Sequence, residues 1–142
     1  MPLHLSSLLK RYYRSIFLPV WILIASLASC SKNAGYGGNA SLTGVVMAHK
    51  INPVSEAIIA TYPIPDERIY IVFGDDNFYG DEVRSFYDGS YRFKYLRKGA
   101  YTLYAYSFCN SCPSGTEPIF TTIEIPDNHG EYLADTLFLY QL

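Results

Sequence analysis

Between Tyr87 and Ser107 the chain reads Tyr-Asp-Gly-Ser-Tyr-Arg-Phe-Lys-Tyr-Leu-Arg-Lys-Gly-Ala-Tyr-Thr-Leu-Tyr-Ala-Tyr-Ser, and no other stretch limits the fold so strongly. An Asp-Gly pair between alternating residues is the strongest short-range hairpin signal, because both central residues of a type I′ turn need positive φ. The stretch therefore predicts a strand over 83–87, a hairpin turn at Asp88-Gly89 and a returning strand from Tyr91 to Leu96. On that strand Tyr91, Phe93 and Tyr95 share one face while Arg92 and Lys94 share the other, so one face is core and one is wet. Arg97-Lys98-Gly99 breaks the pattern, and Ala100 to Cys109 resumes it with apolar or aromatic residues on both faces, as central strands do.

Further strands are predicted at Leu42–His49, Glu67–Phe73, Thr116–Ile125 and Tyr132–Tyr140, with turn-forming composition between them. Pro53, Pro63 and Pro65 oppose a helix or central strand over 52–65, which reads as a long connection in which 57–62 could extend briefly. The fold class expected is all-β, an antiparallel Greek-key sandwich of about seven strands, preceded by a cleavable N-terminal signal helix.

That signal is legible in the first 29 residues. Lys10, Arg11 and Arg14 precede an apolar run from Ile16 to Ala28, and small residues lead to Cys30. The run is thirteen residues interrupted by Pro19, short of the roughly 18 to 20 that span a bilayer. Leu27-Ala28-Ser29-Cys30 resembles the lipobox of bacterial lipoproteins, which implies acylation of Cys30 and a membrane as the first partner. Residues 30–39 then read as the lipidated cysteine and a Gly-rich tether, and 40–142 as the sandwich domain. In Bacteroidota lipoproteins an acidic run after the cysteine resembles a surface-export signal; Lys32-Asn33 carries none, which implies an outer-membrane protein facing the periplasm.

All thirteen acidic residues follow Cys30 while Lys10, Arg11 and Arg14 precede it, so removing the signal takes the net charge from −2 to −5. Such a balance disfavours a nucleic-acid partner.

Asp88-Gly89, Tyr91, Phe93, Leu96, Gly99, Tyr101 and Leu103 together resemble the turn-strand-corner-strand core of carboxypeptidase regulatory-like domains, which are prealbumin-like sandwiches. Gly44-Val45-Val46 resembles that family's first strand, and Pro63 or Pro65 its usual proline before the second. The resemblance implies folding roles for Asp88, Gly89 and Gly99, and a domain that stabilises, presents or binds. It implies no catalysis.

Three groups of residues could carry chemistry. Cys109 and Cys112 form a Cys-x-x-C pair with no helix beside it, so a structural disulfide is the default in an exported protein, with free thiols or a redox or metal role as alternatives. On a continuous strand their Cα atoms would lie about 10 Å apart, beyond the ~7 Å reach of a disulfide, so pairing requires a turn at Asn110-Ser111. Asp75, Asp76, Asp81 and Glu82 supply oxygen ligands suited to Ca²⁺, though Tyr79 stands where an EF-hand loop wants its fifth-position ligand. Among the tyrosines, Tyr70, Tyr91, Tyr95, Tyr101, Tyr104 and Tyr106 fall at strand-period positions and are expected to fill the core.

The sequence contains no Gly-x-Ser-x-Gly elbow, His-Glu-x-x-His or P-loop. A non-enzymatic envelope protein is expected, an accessory or binding module for an envelope protein complex. The alternatives are a glycan- or small-ligand-binding lipoprotein using exposed tyrosines, and a thiol-active protein through the Cys-x-x-C. A contiguous exposed aromatic strip would favour a ligand; an open edge strand would favour a protein partner.

Overall fold

The computed structural model describes residues 34–142; the signal, Cys30 and the first part of the tether lie outside the described residues. The described part is all-β, with strands β1 (Tyr36–Ile51), β2 (Ile58–Pro63), β3 (Arg68–Phe73), β4 (Asp81–Arg84), β5 (Ser90–Leu96), β6 (Gly99–Phe108), β7 (Thr116–Ile125), β8 (His129–Leu133) and β9 (Leu137–Gln141). They form two sheets packed face to face, the sandwich the sequence leads one to expect, with nine strands rather than about seven.

β1 is the centre of the first sheet. Ala40, Leu42, Val46 and Ala48 are fully buried at period-two positions, so one face of this sixteen-residue strand is core throughout. Its early half pairs β5 and its late half pairs β2, both antiparallel. These two share one side of β1: Val46 donates its N–H to Gly89 (2.9 Å) and its carbonyl accepts from Ile64 (3.3 Å). The other side is taken by β8 and then β9, both parallel to β1. Parallel pairing departs from the antiparallel expectation and follows from the route of the chain. β7 returns to the end where β1 starts, Asn39 bonds to Asn128 there (2.7 Å), and the chain can only proceed alongside β1 in the same direction.

The second sheet has the order β4-β3-β6-β7 and is antiparallel. Its inner face sets Ile69, Ile71, Tyr101, Leu103 and Ala105 against Leu42, Val46, Phe93, Leu137 and Leu139 of the first.

Four local expectations are corrected. β1 begins at Tyr36, so four of the ten residues of the expected tether over 30–39 are strand. β2 occupies part of the expected connection; it is exposed along its whole length and pairs on one side only, where Pro63 is tolerated. The expected strand over 132–140 is two strands, broken where Ala134 turns its N–H to the Thr43 carbonyl (2.8 Å).

The fourth concerns the hairpin. Asp88-Gly89 does form a tight turn, with Phe86 N–H to Ser90 O at 2.8 Å and Gly89 N–H to Phe86 O at 3.0 Å. Only Gly89 of the pair has positive φ (76°), so this is a three-residue loop closed by a left-handed glycine rather than a type I′ turn. Its flanks do not ladder together: β4 pairs β3 and β5 pairs β1. Val83 approaches the core from the second sheet while Tyr91 and Phe93 must lie on β1, so the turn carries the chain between layers. Gly99 (φ 147°) makes the reverse crossing three residues after Leu96, where a Cβ would stand 2.8 Å from that of Ala34.

Candidate functional site

One rung of the second sheet crosses all four strands on its outer face. Glu82 of β4 pairs Tyr70 of β3, Tyr70 pairs Tyr104 of β6, and Tyr104 pairs Phe120 of β7. Tyr70 and Tyr104 stack with centroids 4.8 Å apart and planes 14° from parallel. Tyr79 folds back from the β3–β4 loop onto Tyr70 (5.0 Å), Phe120 leans on Tyr104 (5.5 Å), and Tyr106 stands perpendicular to both stacked rings. The result is a continuous aromatic row.

Its outer members are open to solvent: Phe120 is 60% exposed, Tyr79 51% and Tyr106 48%. Val72, Thr102 and Thr122 form the next rung and keep that neighbourhood low. Arg68 closes the other side, 3.5 Å from Glu82. Burial is the main cause raising the Tyr104 pKa, with Tyr106, Tyr70, Tyr79 and Glu82 adding to it, so its hydroxyl stays a neutral donor and acceptor. The row thus offers apolar ring surface and neutral hydroxyls side by side, without an enclosed cavity.

These rings are not where the sequence put them. Of the six tyrosines assigned to the core, only Tyr91 and Tyr101 are buried there, each 1% exposed. Tyr70, Tyr104 and Tyr106 lie on the outer face because β3 and β6 are central in their sheet but the sheet has only one covered side. Tyr95 is 67% exposed: positive φ (62°) turns it out of the alternation begun by Tyr91 and Phe93, and Leu96 takes the buried place. The signal for the row was present in β6, where inward Tyr101, Leu103 and Ala105 alternate with outward Thr102, Tyr104 and Tyr106.

Among the described residues, no three carboxylates of the acidic loop bring ligand atoms within 4.8 Å of one another. Asp75 and Asp76 sit on an exposed turn, Asp81 accepts a hydrogen bond from the Tyr36 hydroxyl, and Glu82 faces Arg68. Burial, then that bond to Asp81, pushes the Tyr36 phenol pKa up. Among the described residues, three His, Cys, Asp or Glu ligand atoms come within 4.8 Å of one another only at Cys109, Cys112 and Glu117. Both sulfurs there are joined in a disulfide, with Cα atoms 5.4 Å apart across the turn at Asn110-Ser111. Joined sulfurs offer neither a thiolate ligand nor a nucleophile, and a carboxylate beside them would disfavour thiolates after reduction. Asp88 caps its turn by accepting from the Ser90 N–H (3.0 Å) and hydroxyl (2.7 Å).

No protein-family model matches this chain, and no curated protein does. Among solved structures, a 9R-lipoxygenase from Cyanothece aligns with 72% of this chain and 16% of its own, at 14% identity and a TM-score of 0.34. This chain therefore spans about a sixth of that enzyme, whose activity carries no argument here.

Proposed function

We propose that this protein is a non-enzymatic, lipid-anchored binding module of the bacterial cell envelope, comparable in role to carboxypeptidase regulatory-like domains, and that it holds a glycan chain across the outer face of β3, β6 and β7. The observation that carries this reading is the row formed by Tyr79, Tyr70, Tyr104 and Phe120. Sugar rings present C–H faces that pack on aromatic rings and hydroxyls that bond to phenols, threonines and carboxylates. An open row suits an extended polymer, whereas a small molecule is generally held in a cleft that buries most of its surface. In this reading Cys30 anchors the module, and the lack of an acidic run at Lys32-Asn33 favours an outer-membrane protein facing the periplasm.

Affinity electrophoresis of the detergent-solubilised protein in gels containing envelope polysaccharides tests this. Retardation by at least one polysaccharide, lost in Phe120→Ala and Tyr104→Ala variants of unchanged fold, is expected. Equal mobility of wild type and variants across the panel overturns it.

The second reading, an accessory subunit of an envelope protein complex, is favoured by β2. All six of its side chains are exposed, none is charged, and its outer edge is unpaired among the described residues. Edge strands are usually blunted by charge, and this one relies on Pro63 alone. Cross-linking in native membranes, followed by mass spectrometry of adducts mapping to 58–63, separates the two readings.

A further inference from the structure

The first described residues are stitched into one end of the sandwich by every segment around them. Gly35 accepts the Arg97 N–H (2.8 Å) and donates its own to the Tyr101 hydroxyl (2.9 Å), which donates to the Arg97 carbonyl (2.7 Å). Asn128 accepts the Asn39 N–H through its carbonyl and the Lys98 N–H through its side chain, both at 2.7 Å. Gly74 bonds to Ala100 (2.9 Å), and the Tyr36 hydroxyl bonds to Asp81. The loop from Gly74 to Gly80, the corner from Arg97 to Gly99 and the turn around Asn128 therefore share the end at which β1 begins.

That end turns aromatic rings outward. Phe78 is 83% exposed at the tip of its loop and Tyr95 is 67% exposed. Tyr95 holds a left-handed backbone that bulky residues rarely adopt, and its effect is to aim the ring away from the core. Exposed aromatics occur elsewhere, but these lie where the chain comes in. Charge does not explain them: Lys94, Arg97 and Lys98 are matched by Asp75, Asp76, Asp81 and Asp127.

Three residues separate Cys30 from Ala34, a span of no more than about 15 Å. With β1 starting at Tyr36, the linker is too short to let the domain stand clear of an acylated Cys30. We propose that this end of the sandwich rests in the phospholipid headgroup layer of the anchoring membrane, with Phe78 and Tyr95 at the depth where aromatic side chains concentrate. This rests on the lipid-anchor reading. With three cations against four carboxylates at this end, the contact does not rest on anionic lipid. It also sets the aromatic row, which crosses the strands midway along the sheet, side-on to the bilayer and clear of it.

Trp21, the chain's only tryptophan, leaves with the signal, so Phe78→Trp in the lipidated protein carries a single indole. The lipidated protein, cleaved before Cys30, is reconstituted into phosphatidylethanolamine–phosphatidylglycerol vesicles and recovered by flotation. Expected are blue-shifted emission and quenching by headgroup-labelled lipid, while Tyr87→Trp, on a residue 86% exposed in the turn between layers, is quenched by aqueous iodide. If the protein floats but both positions respond to iodide alike, the docking fails and the anchor stands. If it does not float, or floats equally well as Cys30→Ala, the anchor fails and the docking with it.

Discussion

Gly44 and Tyr91 face each other across the β1–β5 ladder, and the phenol lies over the glycine so closely that an added Cβ would stand 2.3 Å from its oxygen. The Tyr91 hydroxyl, 1% exposed, has no hydrogen-bond partner. Gly44→Ala is expected to cost about 1–3 kcal/mol through overpacking. Tyr91→Phe removes an unsatisfied buried group and is expected to leave stability unchanged or raise it by about 1 kcal/mol. Urea unfolding of both variants checks the pair; a large loss in Tyr91→Phe would show that the hydroxyl is bonded after all.

Asp88 gives the turn between the sheets a pH dependence. Its two bonds from Ser90 hold its pKa below the usual 3.8, its side-chain bond to the Ser90 hydroxyl being the largest cause. A carboxylate with a lowered folded pKa adds stability above its unfolded pKa and loses it as pH falls through the folded value. Asp88→Ala should therefore be less stable than wild type at neutral pH, and the two melting curves should converge in acid.

The Cys109–Cys112 bridge closes a very short loop. On the chain-entropy view its removal by Cys109→Ser with Cys112→Ser costs about 2 kcal/mol, leaving the protein folded. Intact mass of the non-reduced protein should show no alkylated cysteine at either position. Two alkylated thiols would leave the bridge without support.

In the aromatic row, Phe120→Ala touches only an exposed ring and is expected to shift stability by no more than about 0.5 kcal/mol. Tyr104→Ala breaks the stack with Tyr70 and should cost roughly 0.5–1.5 kcal/mol beyond the area it uncovers. Loss of polysaccharide retardation in Phe120→Ala with an unaltered melting temperature would assign the ring to binding. Loss accompanied by unfolding would assign it to the fold.

Strand positions in β3, β5, β6 and β7 were legible because they depend on period and on local turn residues, which the chain displays directly. What the sequence could not display was partnership. Asp88-Gly89 announced a turn correctly, but whether β4 and β5 pair with each other depends on which layer Val83 and Tyr91 each bury into. The same limit hid the aromatic row. Tyr104 has apolar neighbours on both faces of its strand, and only the sheet order shows that one face has nothing packed over it. Tyr95 left its alternation through a single backbone angle, for which no sequence signal exists. The acidic residues from Asp75 to Glu82 read as one loop, but Asp81 and Glu82 open β4, and Tyr36 and Arg68 each claim one of their carboxylates.

β1 takes its neighbours on one side from β8 and β9, so Thr43 bonds to Tyr132, 89 positions later. Contacts so distant along the chain form late. Under the export proposed above, amino-terminus first, the central strand arrives early and waits with one side open until nearly the last residues have crossed. The order of delivery thus keeps the chain soft enough to thread, and a few residues lost from its carboxyl end would leave the centre of the sandwich permanently unclosed.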